Sequence, residues 1–510
     1  MDWTNGLTLA FSATTIVAIV AGSLIGLVLG VLPGLGGIFG LTLFIPLTLQ
    51  WSAVTALGLL VALYTSAVFG GAITAVLFRI PGHPGNIATS FEGPALTRKG
   101  RAGEAVVAIG LSGIVGGLLG VAAVVFAGPV IANYGVKISP ADYFMLAVLG
   151  LSLVAASSRR QVLEGIMLGG LGFLLSTVGQ DQVSSETRFT FGSSYLSYNG
   201  IDFSVVAIGV FAVGSALWML TPGESGVTEQ IPKMWTGVRA GCVTFVRHIA
   251  SVLRGGVIGT VIGTIPGVGI SLSNIIAYVA EERLHPKRQW GEGEMAGVVA
   301  PEAADNATLV AELIPAFTLG IPGAPASALM LYAITIHGLT PGFAFFNDNP
   351  AGAAFFITMV MSLVVFTVLG FALSGILARA ALIDPRVLAP FVLVAGCIGA
   401  YAVHGSYGDI VLALVFGVVG YLLLRFRLPL TPLVLGIILG PLAESNYRRA
   451  ETIAQATHAN PLLSVGPILL GVASLCVLLI TIVPAVRSRR RGQSTPLDSL
   501  SDRPEGEIRV

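Results

Sequence analysis

The sequence predicts an all-α polytopic membrane protein made of two inverted repeats, with broken helices and re-entrant helical hairpins. Three observations predict it. Of 510 residues, 54% are hydrophobic and only 10% are charged, far below the charged share of soluble domains. A broken-helix motif is written twice, as Gly26 to Gly37 (GLVLGVLPGLGG) and, 233 residues later, as Gly259 to Ile270 (GTVIGTIPGVGI). Basic residues gather in some loops and are missing at the equivalent places of the other half, and such asymmetry sets membrane orientation.

A membrane helix needs about 20 apolar residues. Stretches that could cross or enter a bilayer run over 7–49 (broken at Pro33), 52–78, 104–133, 141–157, 161–178 and 201–220. The pattern then restarts. After a basic stretch from Lys233 to Arg254 come 255–281 (broken at Pro266), 296–319, 351–378, 387–403, 408–424, 430–442 and 464–486. The first transmembrane repeat with its linking helix therefore spans 1–230, and the second, with a C-terminal helix, spans 231–486. The tail over 487–510, rich in Arg, Ser, Asp and Pro, reads as disordered and cytoplasmic. The start, MDWTNGLTLA, lacks the basic region of a cleavable signal peptide, so the first apolar segment is expected to stay.

The repetition extends further. Arg79 to Asn86 (RIPGHPGN) returns as Gly320 to Ser327 (GIPGAPAS) at an offset of 241, and Gly172-Phe173 returns as Gly420-Tyr421 at 248. Slowly changing offsets are what a diverged duplication leaves. The loop 97–101 (TRKGR) corresponds to 338–350, which has no Lys or Arg, and Arg159-Arg160 corresponds to the uncharged corner at His404-Gly405. With the basic loops and the tail (Arg487, Arg489, Arg490, Arg491) inside, the matching loops fall outside and the halves are inverted. The N-terminus and Gln50 are then both outside, whereas Arg254 and the pair Arg283 and Lys287 are both inside. Each Pro-Gly motif becomes the tip of a re-entrant hairpin, one from each face, meeting near the midplane. The alternative is that 7–32 and 242–264 cross fully.

Proline removes a helical donor and glycine opens the backbone. The freed amides attract anions and the freed carbonyls attract cations. The expected substrate contacts are therefore Pro33, Gly34, Gly36 and Gly37 at the first tip, and Pro266, Gly267 and Gly269 at the second. Pro81, Gly82, Pro84, Gly85 and Asn86 form the break after the first crossing; Pro322, Gly323 and Pro325 form its counterpart. Ser271 and Asn274 follow the second tip. Charge inside a membrane segment is costly and usually functional. Asp305 and Asn306, in the run PEAADNAT from Pro301 to Thr308, are the candidate coupling-ion pair; Glu302 and Glu312 come second. The bland alternatives are glycine used for helix packing and a solvated turn at the mouth. Arg79 and His83 flank the Pro81 break, either to meet an anion or as an ordinary helix end.

Other classes lack their signals. Cys242, Cys397 and Cys476 have no C-x-x-C spacing, so no disulfide or metal framework is implied, and the net charge of +1 gives no reason to expect nucleic acid. The motifs HExxH, GxSxG and GxxxxGK[ST] are absent, which removes zinc protease, serine hydrolase and on-board ATPase readings. No enzyme and no cofactor is expected. Any pumping must draw on an ion gradient or on another chain.

The motifs GxxxGxxPGLGG at 26–37, GxxxGxxPGVG at 259–269, PEAADNA at 301–307 and LGIPG at 319–323 resemble, over nearly the whole chain, the large membrane subunit of the tripartite tricarboxylate transporter family. The resemblance implies a bacterial inner-membrane secondary transporter with a periplasmic N-terminus and cytoplasmic C-terminus. It also implies a small membrane subunit, a periplasmic solute-binding protein and uptake of a carboxylate with Na⁺ or H⁺; a homodimer is left open. Two departures stand out. The family usually has asparagine where this chain has Asp305, and small residues where it has Val310, Ala311 and Glu312 before Ile314-Pro315. The outer loop 179–200, with Tyr195 and Tyr198, is a candidate docking surface. A passive anion channel and a membrane-embedded enzyme are the alternatives, though Asp305, Glu302 and His83 form no known catalytic constellation.

Overall fold

A computed structural model describes residues 1–32, 34–157, 161–181, 185–221, 237–267, 269–347 and 349–491. The first half comprises α1 (Trp3–Ala10), α2 (Ala13–Val31), α3 (Gly36–Leu47), α4 (Ala53–Phe78), α5 (Thr89–Arg98), α6 (Ala102–Gly135), α7 (Pro140–Ser157) and α8 (Val162–Ser176). It closes with α9 (Ser194–Asn199), α10 (Phe203–Ala207) and, after a π-type turn over Ile208–Val213, α11 (Gly214–Met219). The second half runs α12 (Val238–Arg247), α13 (Ile249–Gly263), α14 (Ile270–Leu284), α15 (Ala296–Ala311), α16 (Leu313–Leu319), α17 (Pro325–Ile336) and α18 (Phe343–Asn347). It continues with α19 (Pro350–Ala372), α20 (Ser374–Ala380), α21 (Pro385–His404), α22 (Tyr407–Arg425), α23 (Leu430–Thr457) and α24 (Val465–Arg491). Extended pairing among the described residues is confined to Gly179–Gln180 with Thr187–Arg188.

Seven of these helices are long and apolar enough to cross a membrane: α2, α4, α6, α19, α21, α22 and the first part of α24. The protein is an all-α, multi-pass membrane protein. Large apolar side chains on its periphery, such as Phe126, Phe391, Val415 and Ile480, are exposed, as they should be where lipid is the solvent. The basic Arg159-Arg160 pair, much of the inter-repeat linker (222–236) and the tail beyond Arg491 lie outside the described residues.

Two helices form the axis. The apolar window of α4 is buried throughout and every residue of α15 is buried; α4 is apolar on nearly all sides, as an enclosed helix usually is, whereas α15 buries Glu302, Asp305, Asn306 and Thr308 as well. Each carries a helical hairpin. Along α2, Gly22, Gly26 and Gly30 lie against the backbone carbonyls of Leu59, Leu63 and Ala67 on α4, so close that a Cβ would collide with each carbonyl. Beyond the tip the chain comes back down α4, with Gly37 against Tyr64 and Ala67, and Gly40 against Leu63. On the other axis, Gly255, Gly259 and Gly263 of α13 lie against Ala300, Ala304 and Thr308 of α15. There α14 returns, with Ser273 and Thr308 hydroxyls 2.7 Å apart and the ring of Tyr278 against Gly297. The chain turns back at both tips.

The register of this packing repeats with the offsets of the sequence. Gly22, Gly26 and Gly30 become Gly255, Gly259 and Gly263 at 233, and their partners shift by 241. A third pair follows the same logic, since Gly172 of α8 meets the Leu433 carbonyl of α23 while Gly420 of α22 meets the Val210 carbonyl between α10 and α11. Two contacts then fix the second hairpin. At its base Arg254 forms a two-pronged ion pair with Glu281 at 2.7 and 2.9 Å, and Ser251 adds a third bond at 2.8 Å. Above α15, buried Glu92 of α5 accepts the amides of Gly291, Gly293 and Glu294 and the Tyr278 hydroxyl, which ties the loop before α15 to the first half.

Candidate functional site

The tips are shaped by glycines that must be glycines. Gly34 and Gly36 hold φ of +85° and +74°, and Gly267 and Gly269 hold +81° and +77°, conformations that other residues adopt only with strain. Pro33 lies outside the described residues. The breaks after the axial helices match in the same way: α4 ends at Arg79 with φ +60° and α16 at Gly320 with φ +70°. Each tip touches the break of its own half. The Gly82 carbonyl lies beside Gly36, and the Gly267 amide donates to the Gly323 carbonyl at 3.1 Å.

The two halves meet where the first break reaches α15. Pro81 and Pro84 are exposed, but Pro84 starts a single 3₁₀ turn that buries Gly85 and Asn86. The Asn86 Nδ2 donates to Asp305 Oδ2 and to Glu302 Oε1, each at 3.1 Å, and Thr89 Oγ1 donates to the same Glu302 oxygen at 2.7 Å. Gly85 packs on the Asp305 carboxyl so closely that a Cβ there would overlap it. On the far side Asn274 Oδ1 accepts the Ala88 amide at 2.7 Å, so α14 braces the turn.

This cluster is buried and has no cation. Glu302, Asp305 and Asn86 are at most 1% exposed, and among the described residues no Lys, Arg or His pairs with either carboxyl. Three acceptor atoms, Asn86 Oδ1, Glu302 Oε2 and Asp305 Oδ1, have no hydrogen-bond partner among the described residues. Buried acceptors without donors are costly. Among the described residues no three His, Cys, Asp or Glu side chains gather as metal ligands; two carboxyls and an amide oxygen are instead the donor set for a small hard cation or a proton. Asn306, one residue further round the helix, turns away: its Nδ2 bonds the Glu302 carbonyl at 3.0 Å and packs on Gly113 of α6. Asp305 is thus brought to Glu302 and Asn86, while the Asn306 side chain faces α6.

Two turns along α15 lies a narrow cleft of about 10 Å³, room for roughly one water molecule, lined by Gly263, Ile265, Pro266, Gly267, Gly269, Thr308, Glu312, Pro315, Gly323 and Ala324. It joins the second tip to the second break. Gly269 is the N-cap of α14 and Ala324 that of α17; Gly269 supplies no side-chain cap, which leaves first-turn amides of α14 free for an anion. Ser271 is half-buried in that turn. Pro322 is buried, and Pro325 opens α17.

Sequence reasoning missed three features. The second axial helix is interrupted at Glu312, between α15 and α16, because Pro315 cannot donate to the turn before it. Glu312 faces the cleft and accepts from the hydroxyl of Tyr64 at 3.3 Å, while the Tyr64 ring packs on Gly37 of the first hairpin. Tyr64 was legible in principle, since the offset of 241 maps it onto Asp305. Thr89, one turn beyond Asn86, completes the acid cluster. Of the remaining candidates, His83 is buried and its Nδ1 accepts the Gly85 amide at 3.2 Å, whereas Arg79 is exposed. In the outer loop Tyr195 is bonded to Asp409 at 2.6 Å, and Tyr198 is 87% exposed.

Comparison with known proteins gives a consistent picture. Residues 16–435 match the family model described as the Tripartite tricarboxylate transporter TctA family. Two relatives come from Agrobacterium vitis. An uncharacterized 52.8 kDa protein of the TAR-I ttuC' 3' region is 34% identical over 504 residues, covering 96% of this chain and 98% of the relative. An uncharacterized protein of the TAR-II ttuC' 3' region is 33% identical over 238 residues, covering 46% of this chain and 97% of the relative. No solved structure matches.

Proposed function

The chain belongs to the Tripartite tricarboxylate transporter TctA family, and from this premise we propose that it is the permease of a binding-protein-dependent symporter that imports an organic carboxylate with Na⁺ or H⁺. It works with a small membrane subunit and a periplasmic solute-binding protein in the bacterial inner membrane, its N-terminus outside and its C-terminus inside. The loop charges support this orientation and the inversion of the two halves.

The observation that carries the reading is the pairing of two sites on one helix. Free amides at the second tip suit a carboxylate, and two turns away the orphaned oxygens of Asn86, Glu302 and Asp305 suit its coupling ion. The cleft is built from the second hairpin, α15 and the second break, and the acid cluster from the first break and α15 with α14 of that hairpin bracing it, so motion of the second hairpin would change both. Binding of the ion at Asp305 then stabilises the arrangement that holds the anion, and access alternates around the pair.

The test is uptake of radiolabelled di- and tricarboxylates and aromatic carboxylates into proteoliposomes holding this chain and its small subunit, with the cognate binding protein outside. Accumulation above equilibrium that requires the binding protein and an imposed Na⁺ or H⁺ gradient supports the symporter. Equilibration that ignores both would mean a passive anion channel.

A further inference from the structure

The cleft contains a contradiction. Its free amides suit an anion, yet the titratable side chain that lines it is an acid, Glu312, and no Lys, Arg or His is among its walls. Glu312 is 4% exposed. The titratable groups facing it are Tyr64 from α4 and, two turns back on α15, Asp305; the lining drawn from α13, the second tip and the second break consists of Gly, Pro, Ile and Ala. A charged Glu312 would repel a carboxylate held a few ångströms away in a site with little water to screen it. A neutral Glu312 would instead offer an O–H to that carboxylate.

We infer that Glu312 is a substrate-facing proton carrier: it takes a proton from the outer aqueous phase when the anion enters the cleft, donates a hydrogen bond to it, and releases the proton to the inner aqueous phase as the anion leaves. One proton thus crosses with each carboxylate, and no other bond is made or broken. Tyr64 holds the carboxyl through its Oε1, leaving the other oxygen for the substrate. The inference rests on the proposed function and adds to it a residue and an ion. It also distinguishes Glu312 from the Asn86–Glu302–Asp305 cluster, none of whose residues lines the cleft.

Two experiments on the assembled complex test it. N,N'-dicyclohexylcarbodiimide reacts with protonated carboxylic acids in apolar surroundings, so peptide mass spectrometry should find an adduct on Glu312 at neutral pH, lost as the pH is raised. No adduct on Glu312 at any pH would overturn the inference, and this arm needs neither a variant nor a substrate. In proteoliposomes with the binding protein outside, Glu312→Gln should lose accumulation driven by a pH gradient by a much larger factor than it loses exchange of radiolabelled citrate or succinate. Accumulation equal to the wild type would overturn the inference, and so would an equal loss of exchange in a complex that still assembles, since Glu312 would then only position the cleft. A wild-type complex that moves no carboxylate would instead sink the transport reading, with the adduct still reporting on Glu312.

Discussion

Asn86 and Asp305 lie 219 residues apart in sequence and are joined by a 3.1 Å Nδ2–Oδ2 hydrogen bond between the two halves of the chain. The same amide holds Glu302. A break in one half is therefore read by the axial helix of the other, and each half of the chain supplies part of the acid cluster.

That contact depends on the absence of a side chain next to it. Gly85→Ala would drive a methyl group into the Asp305 carboxyl. Uptake should fall at least roughly tenfold, about 1.4 kcal/mol, with the complex still assembled, whereas Gly375→Ala, which has open space around it, should leave uptake unchanged. Initial rates in proteoliposomes check both.

The glycine ladders set how closely the hairpins approach their axes. Gly26→Ala and Gly259→Ala, at equivalent rungs, each push a methyl group into a backbone carbonyl that cannot move aside cheaply. Each should destabilise the protein by about 1–3 kcal/mol. Gly170→Ala, with nothing within reach, should be neutral or better. Thermal unfolding in detergent, compared across the three variants, decides.

Much of this was legible because proline and glycine are punctuation. The tips at Gly34–Gly37 and Pro266–Gly269 and the breaks at Pro81 and Pro322 announce themselves, and the offsets of 233 and 241 read from the sequence reappear in the packing of Gly26 on Leu63 and Gly259 on Ala304. Partnership was not legible. Asn86 reads as a substrate contact and Asp305 as an ion ligand, and only the folded chain shows that one bonds the other. Helical rotation explains Asn306: adjacent residues are about 100° apart around the axis, so both cannot face one site. The ring of Tyr64 on Gly37 and its hydroxyl on Glu312 are likewise tertiary facts, carried by no local pattern.

The base of the second hairpin offers a stability test. Glu281 is buried, with Arg254 and Ser251 as its partners. Arg254→Met leaves that carboxylate with only His285 Nε2, 3.8 Å away, as a basic neighbour and should cost about 1–3 kcal/mol, discounted because Arg254 is partly exposed. Removing both charges, Arg254→Met with Glu281→Met, should recover part of the loss. A double-mutant cycle of unfolding midpoints measures the coupling, and additive losses would show the pair to be inert.

A pH effect is expected in the loop before α15. The imidazole of His248, with the Ala296 amide and Arg288 adding to it, holds the Glu294 carboxyl at about 2, below its ordinary value of 4.5. A depressed carboxyl contributes stability that is fully present above about 4.5 and is lost as pH falls through about 2. Glu294→Gln should therefore flatten the dependence of stability on pH within that window and leave it unchanged above. Unfolding midpoints of the purified complex at pH values spanning the window read this directly.

The most direct test of the account compares wild type with Asp305→Asn in proteoliposomes under separate Na⁺ and H⁺ gradients, with the small subunit present and the binding protein outside. Substrate exchange reports the anion site and accumulation reports the ion. If the orphaned oxygens beside Asn86 hold the coupling ion, Asp305→Asn should still exchange labelled carboxylate but should lose, or change the ion of, gradient-driven accumulation. Accumulation by the variant at wild-type level, on the same ion, would contradict the coupling role assigned to this cluster.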